Sequence, residues 1–298
     1  MSTNRPSDLP RIALIAGPTA SGKSARAIAL AEAANGAVIN ADASQVYRDL
    51  RILSARPSAE EEARVPHLLF GYRDGAEACS AADWAEDAKG AIGEVLAAGR
   101  LPVLVGGTGL YIRTLLDGIA PVPDIDPRVR AEVRQLSAAA AHAALAKEDP
   151  DSATRLHPND TARLHRALEV IRSTGKPIGT WRESRVGGIG HSVHIELENI
   201  VTSVAELYAR CDARVDQMIA AGVVQEVARL RERQLDPSLP VMRAIGVGQL
   251  IQYLEGVIPL DEAISAIKQA TRNYAKRQRT WLRHQLTGAS KQGVGKEG

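Results

Sequence analysis

The run Arg11–Ile12–Ala13–Leu14–Ile15–Ala16–Gly17–Pro18–Thr19–Ala20–Ser21–Gly22–Lys23–Ser24 decides the architecture of this chain. Its first six residues form a short apolar strand, and the next eight fit G-x-x-x-x-G-K-[ST]. An Ala-rich stretch over 23–34, closed by Asn35–Gly36, predicts a helix with its stop signal. Between a strand and a helix this pattern is a phosphate loop. Its glycines let backbone N–H groups turn inward around phosphate oxygens, and the helix N-terminus adds partial positive charge. Lys23 supplies a full charge, and the Ser24 hydroxyl suits a magnesium ion. Gly17, Pro18, Thr19, Ala20, Ser21, Gly22, Lys23 and Ser24 are therefore the candidate diphosphate or nucleotide site, with Ser24 as metal ligand and Mg2+ as cofactor.

Outward from the loop, Ala37–Val38–Ile39–Asn40 is a second short strand that ends just before Asp42. Residues 81–98 have helical periodicity and stop at Gly99, and Leu101–Pro102–Val103–Leu104–Val105 is a buried strand running into Gly106–Gly107. Strands alternating with helices predict an α/β fold: a P-loop NTPase-like parallel sheet flanked by helices. Ligands gather outside the carboxyl ends of such strands, where Asp42, Thr108 and the glycines lie. The strand ending at Val105 carries no Asp to hold magnesium as in ATPases, and no water-activating group is evident beside the loop, so ATP hydrolysis should be negligible. Asp42 has two readings from its position: a carboxylate that reaches a nucleophile at the loop mouth, or a turn and cap residue.

The character changes at Pro121–Val122–Pro123–Asp124–Ile125–Asp126–Pro127. Helices are predicted over 128–146 and 160–173, before the Gly175–Lys176–Pro177 stop. Gly187–Gly188–Ile189–Gly190 then leads into the alternating run Val193–His194–Ile195–Glu196–Leu197, a strand returning to the sheet. The expected organisation is a core over 1–121 and 191–286 with a helical insertion over 122–190. Pro/Gly-rich connections on both sides suit that insertion to act as a mobile clamp. Residues 1–10 and 287–298 read as loose ends.

The chain has 298 residues, 45% hydrophobic and 24% charged, with net charge +2. That composition buries a core and excludes disorder of the bulk. Cys79 and Cys211 cannot make a disulfide framework, and read as small buried hydrophobes in a reducing cytosol. No run reaches the roughly 18 apolar residues of a membrane helix, and the start lacks a secretory signal. A cytoplasmic protein without a membrane partner is expected. His157, His165, His191 and His194 lack a helical H-x-x-x-H pair or cysteine ligands, against a zinc site. Between positions 268 and 284, Lys268, Arg272, Lys276, Arg277, Arg279 and Arg283 occur with no acidic residue, a run suited to a phosphate backbone.

Gly17–Pro18–Thr19–Ala20–Ser21–Gly22–Lys23–Ser24, Asp42–Ala43–Ser44–Gln45–Val46–Tyr47 and Gly106–Gly107–Thr108–Gly109–Leu110–Tyr111 occur in the order and at the spacing of tRNA dimethylallyltransferases. Ser80–Ala81–Ala82–Asp83, His157–Pro158–Asn159–Asp160, Arg163 with Arg166–Ala167–Leu168–Glu169–Val170, and Ala275–Lys276–Arg277–Gln278–Arg279–Thr280–Trp281–Leu282–Arg283 extend the resemblance over about residues 11–286. The resemblance implies transfer of a dimethylallyl group from its diphosphate to N6 of the adenosine 3′-adjacent to the anticodon. In that role Asp42 would accept the amine proton, and Thr108 would hydrogen-bond near the same amine or the diphosphate. Arg210 and Arg214, in the matched pattern Leu207-x-x-Arg210-x-x-x-Arg214-x-x-x-Met218-x-x-x-Gly222, share a helix face; one of them could clamp the diphosphate, unless both are solvated.

The tRNA-contacting set the resemblance implies is Asp42, Ala43, Ser44, Gln45, Thr108, Arg130, Ala162, Arg163, Leu164, His165, Arg166, Arg243, Lys276, Arg277, Arg279 and Arg283. Gln45 could read the base edge through its amide. The chain departs from the family pattern at Ala43 (usually Ser), Ala162 (usually Gln), Gly71 (commonly acidic) and Val247–Gly248 (usually Tyr and a basic residue). A monomer with tRNA and dimethylallyl diphosphate as partners is expected. The alternatives are an adenylate isopentenyltransferase acting on a free nucleotide, a non-catalytic P-loop RNA-binding protein, and a small-molecule kinase. A small acceptor would not need the insertion and the basic C-terminal segment, and a kinase would not match over the insertion.

Overall fold

The strand–loop–helix run heads a parallel sheet in the computed structural model, which describes residues 9–285; the expected loose tail over 287–298, and most of the N-terminal arm, lie outside them. The strands are β1 (Arg11–Ala16), β2 (Gly36–Asn40), β3 (His67–Leu68), β4 (Leu101–Gly106) and β5 (His194–Asn199). They form one sheet ordered β3-β2-β4-β1-β5, with every pairing parallel. β1 lies between β4 and β5, with Ile15 beside Val105 and Leu14 beside Leu197. Buried on both faces, β1, β2 and β4 are apolar runs rather than alternating ones. β3, two residues long, is too short to leave a periodic signal.

The chain divides into two compact units, residues 1–115 with 190–298, and residues 116–189. In the larger unit the sheet is accompanied by α1 (Lys23–Ala33), α2 (Ala59–Arg64), α3 (Ala81–Ala97) and α4 (Gly109–Asp117), then α10 (Val204–Ala220), α11 (Val223–Glu232), α12 (Val247–Leu254) and α13 (Leu260–Gln285). Ser80 and Asp83 form a capping box at the start of α3, each side chain bonding the other's backbone N–H.

The smaller unit holds α5 (Pro127–Arg134), α6 (Ala138–Glu148), α7 (Pro150–Arg155), α8 (Thr161–Thr174) and α9 (Ile178–Glu183). Its own core contains Val133, Ala141, Leu145, Ala153, Leu164, Ala167 and Leu168. The single helix expected over 128–146 is two. Ser137 accepts a hydrogen bond from the Ala140 N–H at 3.2 Å, so its hydroxyl starts a new helix inside an Ala-rich run. Gly175 ends α8 at φ 69°, as its position predicts.

Long-range contacts hold the phosphate loop in shape. Ala20 has φ 61°, and its methyl is buried with Leu207 and Cys211 of α10 and Ala275 of α13. Gln278 of α13 accepts the Thr19 N–H at 2.8 Å and donates to the Gly107 carbonyl at 3.0 Å. Gly106 and Gly109 owe their identity to close approach: a Cβ would collide with the Ala41 carbonyl at Gly106 and with the Trp281 ring at Gly109. Residues 106–109 thus lie sandwiched between the β2 end and α13.

Candidate active site

At the carboxyl edge of the sheet a cavity of about 380 Å³ is lined by Thr19, Lys23, Ser24, Asp42, Ser44, Gln45, Arg214, Arg243, Tyr274 and Arg277, with Leu53, Val215, Met218, Ile245 and Ile267 as apolar wall. Lys23 opens α1 and is buried, its Nζ donating to the Pro18 carbonyl at 3.2 Å. Burial pushes its pKa from the usual 10.5 to about 8; the Asp42 carboxylate opposes that fall and the Arg214 guanidinium adds to it. Arg214, one of the two candidate clamps, lines the cavity and donates to the Thr19 hydroxyl at 3.1 Å. Burial lowers its pKa as well. Arg210 donates to the Ser21 carbonyl at 3.4 Å and pairs with Glu206 at 2.5 Å, away from the lining. The Ser21 hydroxyl, within the loop, is buried without a hydrogen-bond partner among the described residues.

Asp42 follows β2, 7% exposed. Its backbone N–H donates to the Asn40 side-chain oxygen at 2.8 Å, and its Oδ1 accepts the Ser44 N–H at 3.0 Å and the Ser44 hydroxyl at 2.7 Å. Both readings of this residue therefore meet in one carboxylate: Oδ1 closes a turn, while Oδ2 makes no hydrogen bond among the described residues. Thr108 accepts the Ala43 N–H at 3.0 Å through its hydroxyl oxygen, which ties the loop after β4 to the loop after β2. The Gln45 amide nitrogen donates to the Ser54 and Ala55 carbonyls at 3.0 and 2.9 Å, so its two N–H groups are already used. Only its amide oxygen remains as a polar feature for a ligand.

The basic residues fall into different settings. In the smaller unit Arg163 is exposed and paired with Asp160 at 2.8 Å. Arg166 is 3.8 Å from Glu169, which Arg134 also meets at 3.2 Å; burial, countered by Glu169 and reinforced by Arg130, lowers the Arg166 pKa. Ala162 is exposed, and the His165 Nε2 lies 2.9 Å from the Leu136 carbonyl. Leu164 must be corrected as an RNA contact. It is fully buried in the unit's core, because helical periodicity turns position 164 inward while 162 and 163 face solvent.

On α13, Lys276, Arg277 and Arg283 are exposed and Arg279 is half-buried. Lys268 and Arg272, read from sequence as part of an unpaired basic run, are paired instead with Asp216 and Asp212 of α10, each at 2.7 Å. Counter-charges on a distant helix are invisible in a local count of charge.

Sequence reasoning gave no role to Tyr274, Gln278 or Trp281. Their spacing, i, i+4, i+7, puts them on one face of α13, which was the available signal. Among the described residues, no group of three or more His, Cys, Asp or Glu is placed to hold a metal, and no helix is long and apolar enough to cross a membrane.

The chain matches the IPP transferase family over residues 45–285 and the isopentenyl transferase family over residues 10–77. It is 58% identical over 275 residues to a tRNA dimethylallyltransferase of Sphingopyxis alaskensis, covering 92% of this chain and 90% of that one. With the tRNA dimethylallyltransferase of Zymomonas mobilis it shares 54% identity over 92% of this chain and 88% of that one. Among solved structures it resembles a tRNA isopentenylpyrophosphate transferase of Bacillus halodurans, with TM-score 0.67 and 36% identity over 92% of this chain and 87% of that one. A eukaryotic dimethylallyltransferase acting on tRNA aligns with TM-score 0.80 and 29% identity over 95% of this chain and 72% of that one. With a phosphate loop that shares one cavity with Asp42, and matched over almost its whole length, the chain is a member of the IPP transferase family, that of the tRNA dimethylallyltransferases.

Proposed function

We infer that this protein transfers the dimethylallyl group of dimethylallyl diphosphate to N6 of the adenosine 3′-adjacent to the anticodon of tRNA. The observation that carries the reading is one cavity in which anion-binding groups and a carboxylate with a free oxygen face each other. Lys23, Arg214 and the loop N–H groups take the diphosphate, and the apolar wall takes the five-carbon group. In the transfer the C1–O bond to diphosphate breaks and a bond from C1 to N6 forms. The N6 proton passes to Asp42 Oδ2, and diphosphate leaves with the electron pair of the broken bond. An aromatic amine is a poor nucleophile because its lone pair is delocalised, so a positioned base is worth about 10²–10⁴-fold.

Mg2+ fits this donor set. The Ser24 hydroxyl lines the cavity, and magnesium keeps most of its shell as water and phosphate oxygens. Bound through Ser24 and the diphosphate, it would neutralise charge on the leaving group. Exposed Lys276 and Arg277 on α13, and exposed Arg163 in the smaller unit, are each suited to an RNA phosphate. The tRNA acceptor is favoured over a free nucleotide by relatives named for tRNA that match over 92% of the chain.

Mass spectrometry of tRNA nucleosides after incubation with dimethylallyl diphosphate and Mg2+ tests the reading; N6-isopentenyladenosine is expected, and unmodified tRNA overturns it. Asp42→Asn should lower the single-turnover rate by about 10²–10⁴-fold with tRNA affinity little changed. A near-normal chemical step in a variant with a lowered melting temperature would leave Asp42 only its turn.

A further inference from the structure

Among the described residues, two carboxylates are buried in the larger unit, and the proposed transfer uses only Asp42. The other is Glu226 of α11, 5% exposed. A buried carboxylate is costly unless its oxygens find donors, and this one finds two. Its Oε1 accepts the Ile52 N–H and its Oε2 the Leu53 N–H, each at 2.8 Å. These bonds tie α11 to a loop more than 170 residues earlier in the chain.

That loop connects Glu226 to the cavity. Leu53, Ser54 and Ala55 line the cavity, whereas Glu226 does not. The Ser54 and Ala55 carbonyls accept from the Gln45 amide nitrogen at 3.0 and 2.9 Å, and Gln45 is itself part of the lining. A flipped amide would set its oxygen against two carbonyl oxygens, so the loop holds Gln45 in one orientation. The Ser54 hydroxyl donates back to the Leu50 carbonyl, and the Ala55 N–H donates to the Ile52 carbonyl at 3.0 Å. The loop is thus folded on itself, and its N–H groups at 52 and 53 take their acceptors from α11.

We propose that Glu226 is a positioning residue for the acceptor: by anchoring Ile52 and Leu53 it fixes the loop over 52–55, and through that loop it makes Gln45 present its amide oxygen to the incoming base. An oxygen selects a donor. The donors on an adenine edge are the N–H groups of N6, whereas a keto oxygen in their place would be repelled. The inference rests on the proposed function, because adenine is that reading's acceptor.

Glu226→Gln, Gln45→Ala and the double variant test it, with folding checked by melting and by binding of inorganic diphosphate. Glutamine keeps the shape of Glu226 but has one acceptor oxygen, and its NH2 would face the second backbone N–H. The single variant should lower kcat/KM for tRNA about tenfold, the scale of one lost hydrogen bond, with KM for dimethylallyl diphosphate within about twofold. Hydrogen exchange of the Ile52 and Leu53 amides should quicken in it. In the Gln45→Ala background the same change should cost less than about twofold further. Glu226→Asp keeps both oxygens but draws them back by one methylene, and should lose about threefold, again only while Gln45 is present. If Glu226→Gln does not fold, the cycle with Glu226→Asp decides. A wild-type kcat/KM in the folded variant overturns the assignment. So does an equal loss in the Gln45→Ala background, or a matching rise in KM for dimethylallyl diphosphate, either of which would mark a general packing role. If the wild-type protein leaves adenosine unmodified, the proposed function fails; if it transfers, and exchange at 52 and 53 quickens with kcat/KM unchanged, only the Glu226 assignment falls.

Discussion

Lys23 carries its charge at a cost until an anion arrives. Burial holds its pKa near 8 against 10.5 for a free lysine, so the unfolded chain binds the proton more tightly than the folded one. The sign follows: below pH 8 the ammonium penalty is fully present, and it is relieved as pH rises from about 8 to about 10.5. Relative to Lys23→Met, the wild-type protein without diphosphate should gain up to roughly 3 kcal/mol across that window. Urea melts of both at pH 7.5 and pH 10 measure this, and parallel pH profiles would refute it. On the proposed function, a bound diphosphate would supply the missing counter-charge, so a lysine costly to folding would be apt for binding. Lys23→Ala should accordingly abolish transfer while tRNA still binds, and a variant that loses tRNA yet turns over would contradict the assignment.

α13 divides its cations between two jobs. Lys268 and Arg272 spend their charge on Asp216 and Asp212 of α10, whereas Lys276 and Arg277 are exposed further along the helix. Arg277→Ala should lower the salt slope of tRNA binding by about one unit, as expected for one phosphate contact. Arg272→Ala should leave that slope alone and cost under about 1 kcal/mol of stability. Equal slopes for both variants and wild type would make these charges spectators. The phosphate loop, its flanking strand and helix, and the carboxyl-edge placement of Asp42 and Thr108 were legible because each is encoded within a few residues. The pairing of Arg272, the inward turn of Leu164 and the service of Gln278 to a loop 259 residues away were not, since local sequence carries no record of what packs opposite. The break at Ser137 was hidden for another reason: a cap inside an Ala-rich run leaves the helical period intact on both sides.

The two units of the whole molecule have separate cores, and they should fail separately. Leu164→Ala opens a cavity in the core of residues 116–189 and should cost about 2–5 kcal/mol there. Hydrogen exchange should then quicken in α6 and α8, with inorganic diphosphate still bound at the loop. Loss of diphosphate binding together with α8 protection would mean that the molecule unfolds as one. The bond from Thr19 to Gln278 also fixes an order of events during synthesis. The loop leaves the ribosome long before α13, and its own backbone is not fully satisfied until 259 further residues have followed. At bacterial or eukaryotic elongation rates that is a wait on the order of 10–50 s. A polypeptide broken off between Thr108 and α13 would carry every residue of the phosphate loop and of Asp42 and Thr108, but not the helix that closes them. Translation must run through α13 before a prenyl donor meets a finished site.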